Sequence, residues 1–270
     1  VPRRVRLDAE LVRRGLARSR EHASQLVADG RVKVRGTVAT KPATAVETSD
    51  AVVVKDIGND PNWASRGAHK LIGALEGFKI DPTGKRCLDA GASTGGFTDV
   101  LLRKGARQVV AADVGRGLLD WKLQTDDRVV VKDKTNVRTL TPEDIGGNVE
   151  LVVADLSFIS LRLVLPALAA CLDEEGDLLP MVKPQFEVGK ERLGSGGVVR
   201  DPELRVEAVL DVTRAATGLG LAVHGVVASP LPGPSGNVEY FLWLRKADPL
   251  PEGSDAVAQM VRTAVEEGPQ

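Results

Sequence analysis

Lys70, Asp155, Lys183 and Glu239 have the side-chain types needed to take a proton from a weak acid such as an alcohol. A lysine has a pKa of about 10.4 and acts as a base only when neutral. Burial and a second cation favour the neutral form, and a neighbouring carboxylate opposes it. Of the two lysines, Lys183 is the better placed base, with Asp155 and Glu239 orienting the ammonium groups. A second group of residues has a different use. Arg86–Phe97 reads Arg-Cys-Leu-Asp-Ala-Gly-Ala-Ser-Thr-Gly-Gly-Phe, an apolar start followed by a glycine-rich turn. Glycines let a backbone turn tightly and approach a ligand closely. The free N–H groups of a following helix would face that ligand. Asp113 ends the next apolar run, where a carboxylate can grip the two hydroxyls of a ribose.

The elements that must position these residues alternate between strand and helix. Expected strands cover Cys87–Leu88, Val109–Ala112, Val129–Val131, Leu151–Ala154, Leu178–Val182, Val223–Ala228 and Glu239–Leu244. Expected helices cover Ser65–Phe78, Phe97–Arg103, Leu161–Leu172, Pro202–Gly218 and Asp255–Glu267. This alternation predicts an α/β fold, a doubly wound parallel sheet with a possible antiparallel edge strand. Ligands of such sheets bind beyond the carboxyl ends of the strands. Asp155 and Lys183 end two strands. Glu239 reaches the same edge if the last strand runs antiparallel. Lys70 comes from a helix that can cover that edge, although a surface position is the ordinary fate of a lysine. The segment 189–197 is rich in glycine and is expected to be mobile.

The 270-residue chain carries a net charge of −1 that hides an asymmetry. Residues 1–59 hold 12 Lys/Arg against 7 Asp/Glu, a balance of +5, and the remainder balances at −6. A basic small unit on an acidic larger one suits a nucleic-acid anchor joined to an enzyme; a solvated basic face is the alternative. The expected division is 1–59, a linker 60–64, and 65–270. Trp63 in that linker either pins the two units together or caps a core edge. Cys87 and Cys171 fit a reducing compartment, and three dispersed histidines predict no metal site. The N-terminus lacks the apolar core of a signal peptide. The longest apolar run, Leu163–Leu172, is too short to span a bilayer. A cytoplasmic location is expected; the sequence leaves the oligomeric state open, with a monomer slightly favoured.

A dinucleotide enzyme would present G-x-G-x-x-G. Here the spacing is Asp89-x-Gly91, then Gly95-Gly96, and Asp89 would repel a pyrophosphate but suit a cationic ligand. The pattern resembles motif I of S-adenosylmethionine (SAM) methyltransferases, with an NAD(P) oxidoreductase as the alternative. On this reading Asp89, Gly91, Ser93, Thr94, Gly95, Gly96, Phe97, Asp113, Asn136, Asp155 and Phe158 are the cofactor residues. Leu7–Arg20 reads Leu-Asp-x-x-Leu-Val-x-x-Gly-Leu-Ala-x-Ser-Arg. It resembles the small α+β RNA-binding domain of the fourth small-subunit ribosomal protein and of many pseudouridine synthases. Arg4, Arg6, Arg18, Arg20, Lys33, Arg35 and Lys41 are its candidate RNA contacts. The unit has no aromatic residue, so it should read phosphates and backbone shape.

Longer phrases carry a closer resemblance: Ser-Arg-Gly-Ala-His-Lys-Leu from Ser65, Leu-Asp-Ala-Gly-Ala-Ser-Thr-Gly-Gly-Phe-Thr from Leu88, Val-Ala-Asp-Leu-Ser-Phe-Ile-Ser from Val153, Val-Lys-Pro-Gln-Phe-Glu-Val from Val182 and Gly-Asn-Val-Glu-Tyr-Phe-Leu from Gly236. Together they resemble the TlyA family, bacterial rRNA methyltransferases also labelled haemolysins, whose larger part is a Rossmann-like, FtsJ-like SAM methyltransferase. The resemblance implies that Lys70, Asp155, Lys183 and Glu239 form a catalytic tetrad. It also implies cytidine riboses of 16S and 23S rRNA as substrates, ribosomal subunits as partners, and capreomycin/viomycin resistance on loss. Other methyl acceptors leave different marks. Exocyclic base nitrogens go with an Asn/Asp-Pro-Pro-aromatic turn, but Asp155-Leu156-Ser157-Phe158 lacks the prolines. Base carbons often need a nucleophilic cysteine, and both cysteines here read as core residues. A non-enzymatic RNA-binding or lytic protein is a further alternative, but a lytic role needs an amphipathic or spanning segment.

Overall fold

The computed structural model describes residues 4–17, 20–54, 63–233, 235–246 and 253–269. The chain divides into two units, Val1–Asn62 and Trp63–Gln270. The linker positions 60–62 lie outside the described residues.

In the first unit, β1 (Arg4–Arg6) leads directly into α1 (Leu7–Arg13), and α2 (Arg20–Ala28) follows. The spacing of Leu7 and Leu11, and of Ala23, Leu26 and Val27, gives each helix one apolar face, and these faces form the core with Val32, Val34 and Val46. Beyond α2 come β2 (Val32–Val34), β3 (Thr37–Val38), β4 (Ala45–Glu47) and β5 (Val52–Val54). Strands β3, β2 and β5 make one antiparallel sheet, and β1 pairs with β4. Arg35 (φ 50°) and Gly36 (φ 81°) form the two-residue left-handed turn that joins β2 to β3.

Helix α1 also buries two acids that apolar periodicity would not place inside. Asp8 accepts from Arg6 at 2.8 Å and Arg20 at 3.0 Å; Glu10 accepts from Arg13 and Arg14 at 2.6–2.7 Å. These guanidinium groups hold both carboxyls down at about 2, against ordinary values of 3.8 and 4.5. The folded state therefore binds fewer protons than the unfolded state between those limits. Stability of this unit should be full above about pH 4.5 and fall as pH drops toward 2. Amide exchange of α1 across that range is the check, and protection that does not change with pH would contradict the assignment.

The second unit opens with Trp63, which caps a core edge: the Arg103 guanidinium lies 4.4 Å above its ring, and the Ala64 N–H donates to Asp99 at 2.9 Å. Helix α3 (Gly67–Phe78) starts two residues after Ser65, whose Oγ accepts the Gly67 N–H. Then come β6 (Arg86–Ala90), α4 (Gly96–Arg103), β7 (Gln108–Ala112), α5 (Trp121–Gln124), β8 (Val129–Lys132), β9 (Val149–Ala154), α6 (Leu165–Cys171), β10 (Leu172–Val182), α7 (Pro202–Gly218), β11 (Ala222–Ala228), β12 (Tyr240–Arg245) and α8 (Gly253–Glu267). The expected helix from Leu161 is split. Pro166 lacks an N–H and fits only a first helical turn, so a 3-10 turn at Leu161–Leu163 precedes α6. Segment 189–197 forms two 3-10 turns, and Asn237 grips its far end through Gly197 O and Val199 N–H.

The seven-stranded sheet has the order β11-β12-β10-β9-β6-β7-β8. Strands β10, β9, β6, β7 and β8 are parallel to their neighbours. β12 runs antiparallel to both β10 and β11, so the reversed strand lies one place in from the edge, not at it. Alternating residues feed two cores: Leu88, Val152 and Ala154 pack with α6, α7 and α8, while Cys87, Leu151 and Val153 pack with α3 and α4. Helices cover both faces, and the strand order reverses between β6 and β9. A ligand crevice belongs beyond their carboxyl ends.

Candidate active site

The glycine turn leaves β6 at this switch point. Gly91 has φ +85°, and a Cβ there would lie 2.4 Å from the Asp155 carbonyl oxygen. Only glycine allows the ends of β6 and β9 to approach so closely. Gly91→Ala should therefore separate them and weaken binding of a nucleoside cofactor at least about tenfold; equilibrium dialysis would test this, and unchanged affinity would count against it. Ser93 is also left-handed (φ +48°), and its N–H donates to Asp113 Oδ2 at 2.8 Å. The Gly115 N–H donates to Asp113 Oδ1 at 2.7 Å. Each Asp113 oxygen keeps a lone pair for a ligand hydroxyl. The Thr94 carbonyl accepts the Asp120 N–H at 3.0 Å, and Gly95 (φ +100°) is the N-cap of α4.

Three of the expected cofactor positions, Asp89, Phe97 and Gly96, have packing roles, and a fourth, Asn136, is partly engaged within its own turn. Asp89 is fully buried: Oδ2 accepts from Thr98 Oγ1 at 2.7 Å, and Oδ1 has no hydrogen-bond partner among the described residues. Burial pushes this carboxyl up to about 7, partly opposed by Thr98. Asp89 therefore lies beneath the loop, held there by Thr98. Phe97 turns its ring into the core, 6.0 Å from Phe241 between ring centroids. Gly96 serves helix packing, because a Cβ there would meet Ser65 Oγ and Ala68 N. Asn136 spends its Oδ1 on the Arg138 N–H at 3.0 Å, which leaves its amide N–H₂ as a donor.

The four proton-handling candidates are brought to one edge as two ion pairs. Lys183 Nζ lies 2.6 Å from Asp155 Oδ1 and donates to Ser157 Oγ at 2.9 Å. Lys70 Nζ lies 2.5 Å from Glu239 Oε2. The β10–β12 register pairs Val182 with Tyr240, so Lys183 and Glu239 fall on the next rung. The environments differ. The Glu239 side chain is 1% exposed and that of Asp155 25%. Phe158 is 92% exposed with a left-handed backbone (φ +64°), and its ring lies 5.2 Å from that of Phe186, tilted by 50°. It is the most exposed large apolar side chain among the described residues.

Sequence reasoning missed Ser157 and Glu187. Both stand inside phrases recognised above, but nothing local marks them as partners across strands. Cys87 and Cys171 are fully buried, and burial pushes their thiols up to about 12 and 11. Neither can serve as a nucleophile at neutral pH. Among the described residues no cluster of His, Cys, Asp or Glu could hold a metal ion, and no helix is long and apolar enough to cross a membrane.

Several candidate RNA contacts in the first unit are already ion-paired: Arg4 with Glu47 at 3.7 Å, Arg6 and Arg20 with Asp8, and Arg35 with Asp50 at 3.7 Å. Lys33 and Lys41 are exposed. Arg18 lies outside the described residues.

Residues 63–246 match the FtsJ-like methyltransferase family, and residues 5–52 match the S4 domain. Over 268 residues, 99% of both chains, the sequence is 60% identical to the 16S/23S rRNA (cytidine-2′-O)-methyltransferase TlyA of Mycobacterium tuberculosis. The chain belongs to the TlyA family. Relatives of this TlyA-family enzyme include a candidate rRNA methyltransferase, YqxC of Bacillus subtilis, at 40% identity over 98% of this chain and 94% of the relative. Hemolysin A of Brachyspira hyodysenteriae is 34% identical over 87% and 98%. The solved structure of a candidate hemolysin from Streptococcus thermophilus superposes with a TM-score of 0.76 at 37% identity, covering 98% of this chain and 97% of that one.

Proposed function

We propose that this TlyA-family methyltransferase uses SAM to methylate ribose 2′-hydroxyls of cytidines in 16S and 23S rRNA. The observation that carries the reading is the pair of lysine–carboxylate contacts, Lys183–Asp155 and Lys70–Glu239, at the strand edge beside the Asp113 loop. The loop residues fit SAM: Asp113 can accept from a ribose diol, and Asn136 retains a donor for a base edge. When bound, SAM supplies an electrophilic methyl group.

This chain's residues supply the rest. A ribose hydroxyl is a poor nucleophile and must lose its proton during transfer. Lys183 takes that proton at Nζ. Asp155 and Ser157 fix the direction of its lone pair. Lys70 fixes the Glu239 carboxylate, which shares the next rung with Lys183. Much of the rate then comes from orientation of the hydroxyl. The S4 domain holds rRNA through phosphate contacts from Arg4, Arg6, Arg18, Arg20, Lys33, Arg35 and Lys41. Some of these arginines are shared with Asp8, Asp50 and Glu47, which fixes their direction as well as their charge.

Incubation with methyl-labelled SAM and separated ribosomal subunits, followed by mapping of the label, tests the proposal. Label on a cytidine 2′-oxygen is expected; label on a base, or none, would overturn it. Thermal-shift comparison of SAM with NAD(P) separates the oxidoreductase alternative.

A further inference from the structure

We infer that Glu187 is a positioning residue that clamps the two catalytic loops in register, so that Lys183 meets Asp155 and Ser157 at working distance. The inference rests on the methyltransferase reading above and adds a residue to it.

Two loops leave the carboxyl ends of β9 and β10, Asp155–Leu161 and Lys183–Glu187. They are joined at four levels. The first two are the reacting centre itself, Lys183 to Asp155 and to Ser157. The third is the tilted ring contact between Phe158 and Phe186. The fourth is Glu187, whose side chain is 1% exposed. Its Oε2 accepts from Ser160 Oγ at 2.6 Å, and its Oε1 accepts the Leu161 N–H at 2.7 Å. Arg162 Nε stands 3.5 Å from Oε2. The carboxylate thus takes, from another strand's loop, the N–H of Leu161 in the 3-10 turn Leu161–Leu163, whose other two N–H groups Ser160 already holds. On its own side Glu187 is rigidly tied to the base. Phe186 N–H donates to Lys183 O at 2.9 Å, Glu187 N–H to Pro184 O at 3.0 Å, and Pro184 fixes the first φ of that turn.

A second observation gives the clamp a task. Phe158 is a bulky residue at φ +64°, a strained conformation that persists only where its surroundings over-determine it. Its loop is anchored on one side by the Asp155 N–H to Ala90 O at 3.0 Å, and on the other by Ser160 and Leu161 on Glu187. Without the second anchor, Phe158 can relax to φ < 0 and carry Ser157 away from Lys183. The contacts within the reacting centre cannot do this job alone, because Lys183 must turn toward substrate and give up part of them during turnover.

The test compares Glu187→Ala, Glu187→Gln and Ser160→Ala with the wild-type chain on ribosomal subunits, by single-turnover rates and by steady-state kinetics. Alanine at 187 should lower the methylation rate by about 100-fold, the cost of a displacement near one ångström in a reacting centre. Subunit KM and the SAM dissociation constant should stay within about twofold. Glutamine keeps one acceptor for the Leu161 N–H, so Glu187→Gln should recover at least about tenfold of that loss, and Ser160→Ala should lose about fivefold. The limb of the kcat–pH profile that reports the base should also move in Glu187→Ala. If Glu187→Ala does not fold, Ser160→Ala and Glu187→Gln decide by the same readouts. A lowered melting temperature with unchanged kcat and pH profile in the folded variants would make Glu187 merely structural and end the proposal. Absence of label with the wild-type chain would instead count against the methyltransferase reading.

Discussion

Lys183→Ala is expected to lower single-turnover methylation of ribosomal subunits by roughly 10²–10⁴-fold, the range a positioned general base contributes. The loss should appear in kcat, with subunit KM nearly unchanged, because Lys183 is buried at the strand edge and contributes little to docking. SAM affinity should hold as well, since the Asp113–Ser93 contact does not involve Lys183. The fold should tolerate the change at a cost of about 1–2 kcal/mol, because the side chain of Asp155 is 25% exposed and can be hydrated once its partner is gone. Lys183→Arg should fail to rescue activity. A guanidinium keeps the positive charge and the hydrogen-bond donors but cannot accept a proton. Activity in either variant near that of the parent would remove Lys183 as the base and leave orientation alone to explain catalysis.

The other lysine should behave in the opposite way toward stability. Removing Lys70 leaves Glu239 with 1% exposure and no counter-charge within the contacts seen. Breaking a buried pair from one side costs about 3–5 kcal/mol. Lys70→Ala should therefore shift the urea midpoint far more than Lys183→Ala, even though both lysines are buried and ion-paired. The double variant Lys70→Met, Glu239→Gln removes both charges while keeping similar volumes. It should regain most of the lost stability and none of the lost methylation. A double-mutant cycle in urea reads this coupling directly. A cost below about 1 kcal/mol for Lys70→Ala would show that water reaches Glu239 and that the two pairs do not differ in kind.

Much of the site was legible before any coordinates. The turn from Gly91 to Gly96, the acid ending β7, and the residues after β9 and β10 are local features. Each lies within a few residues of the strand that positions it, so strand–helix alternation and glycine spacing suffice to find them. The same local reasoning did not show the packing of Asp89, Phe97 and Gly96. It places a residue near a loop but not on the inner or outer side of it, and only packing against Thr98, Phe241 and Ser65 turns these three inward. The basic first unit was likewise legible as charge. That Asp8 and Glu10 are buried and hold several of its arginines was not, because a buried acid follows from its partners and not from periodicity.

Motifs along the chain carry the family, the glycine turn with the acid that follows β7, and the placing of Asp155 and Lys183 at strand ends. Which side chain holds which is a matter of the folded chain: Lys70 with Glu239, 169 residues apart, Lys183 with Asp155 and Ser157, and Glu187 with the loop of the neighbouring strand. The physical reason is the sheet order. Inserting β12 backwards between β10 and β11 brings its first turn to the carboxyl edge, and no short-range pattern in the chain encodes that insertion.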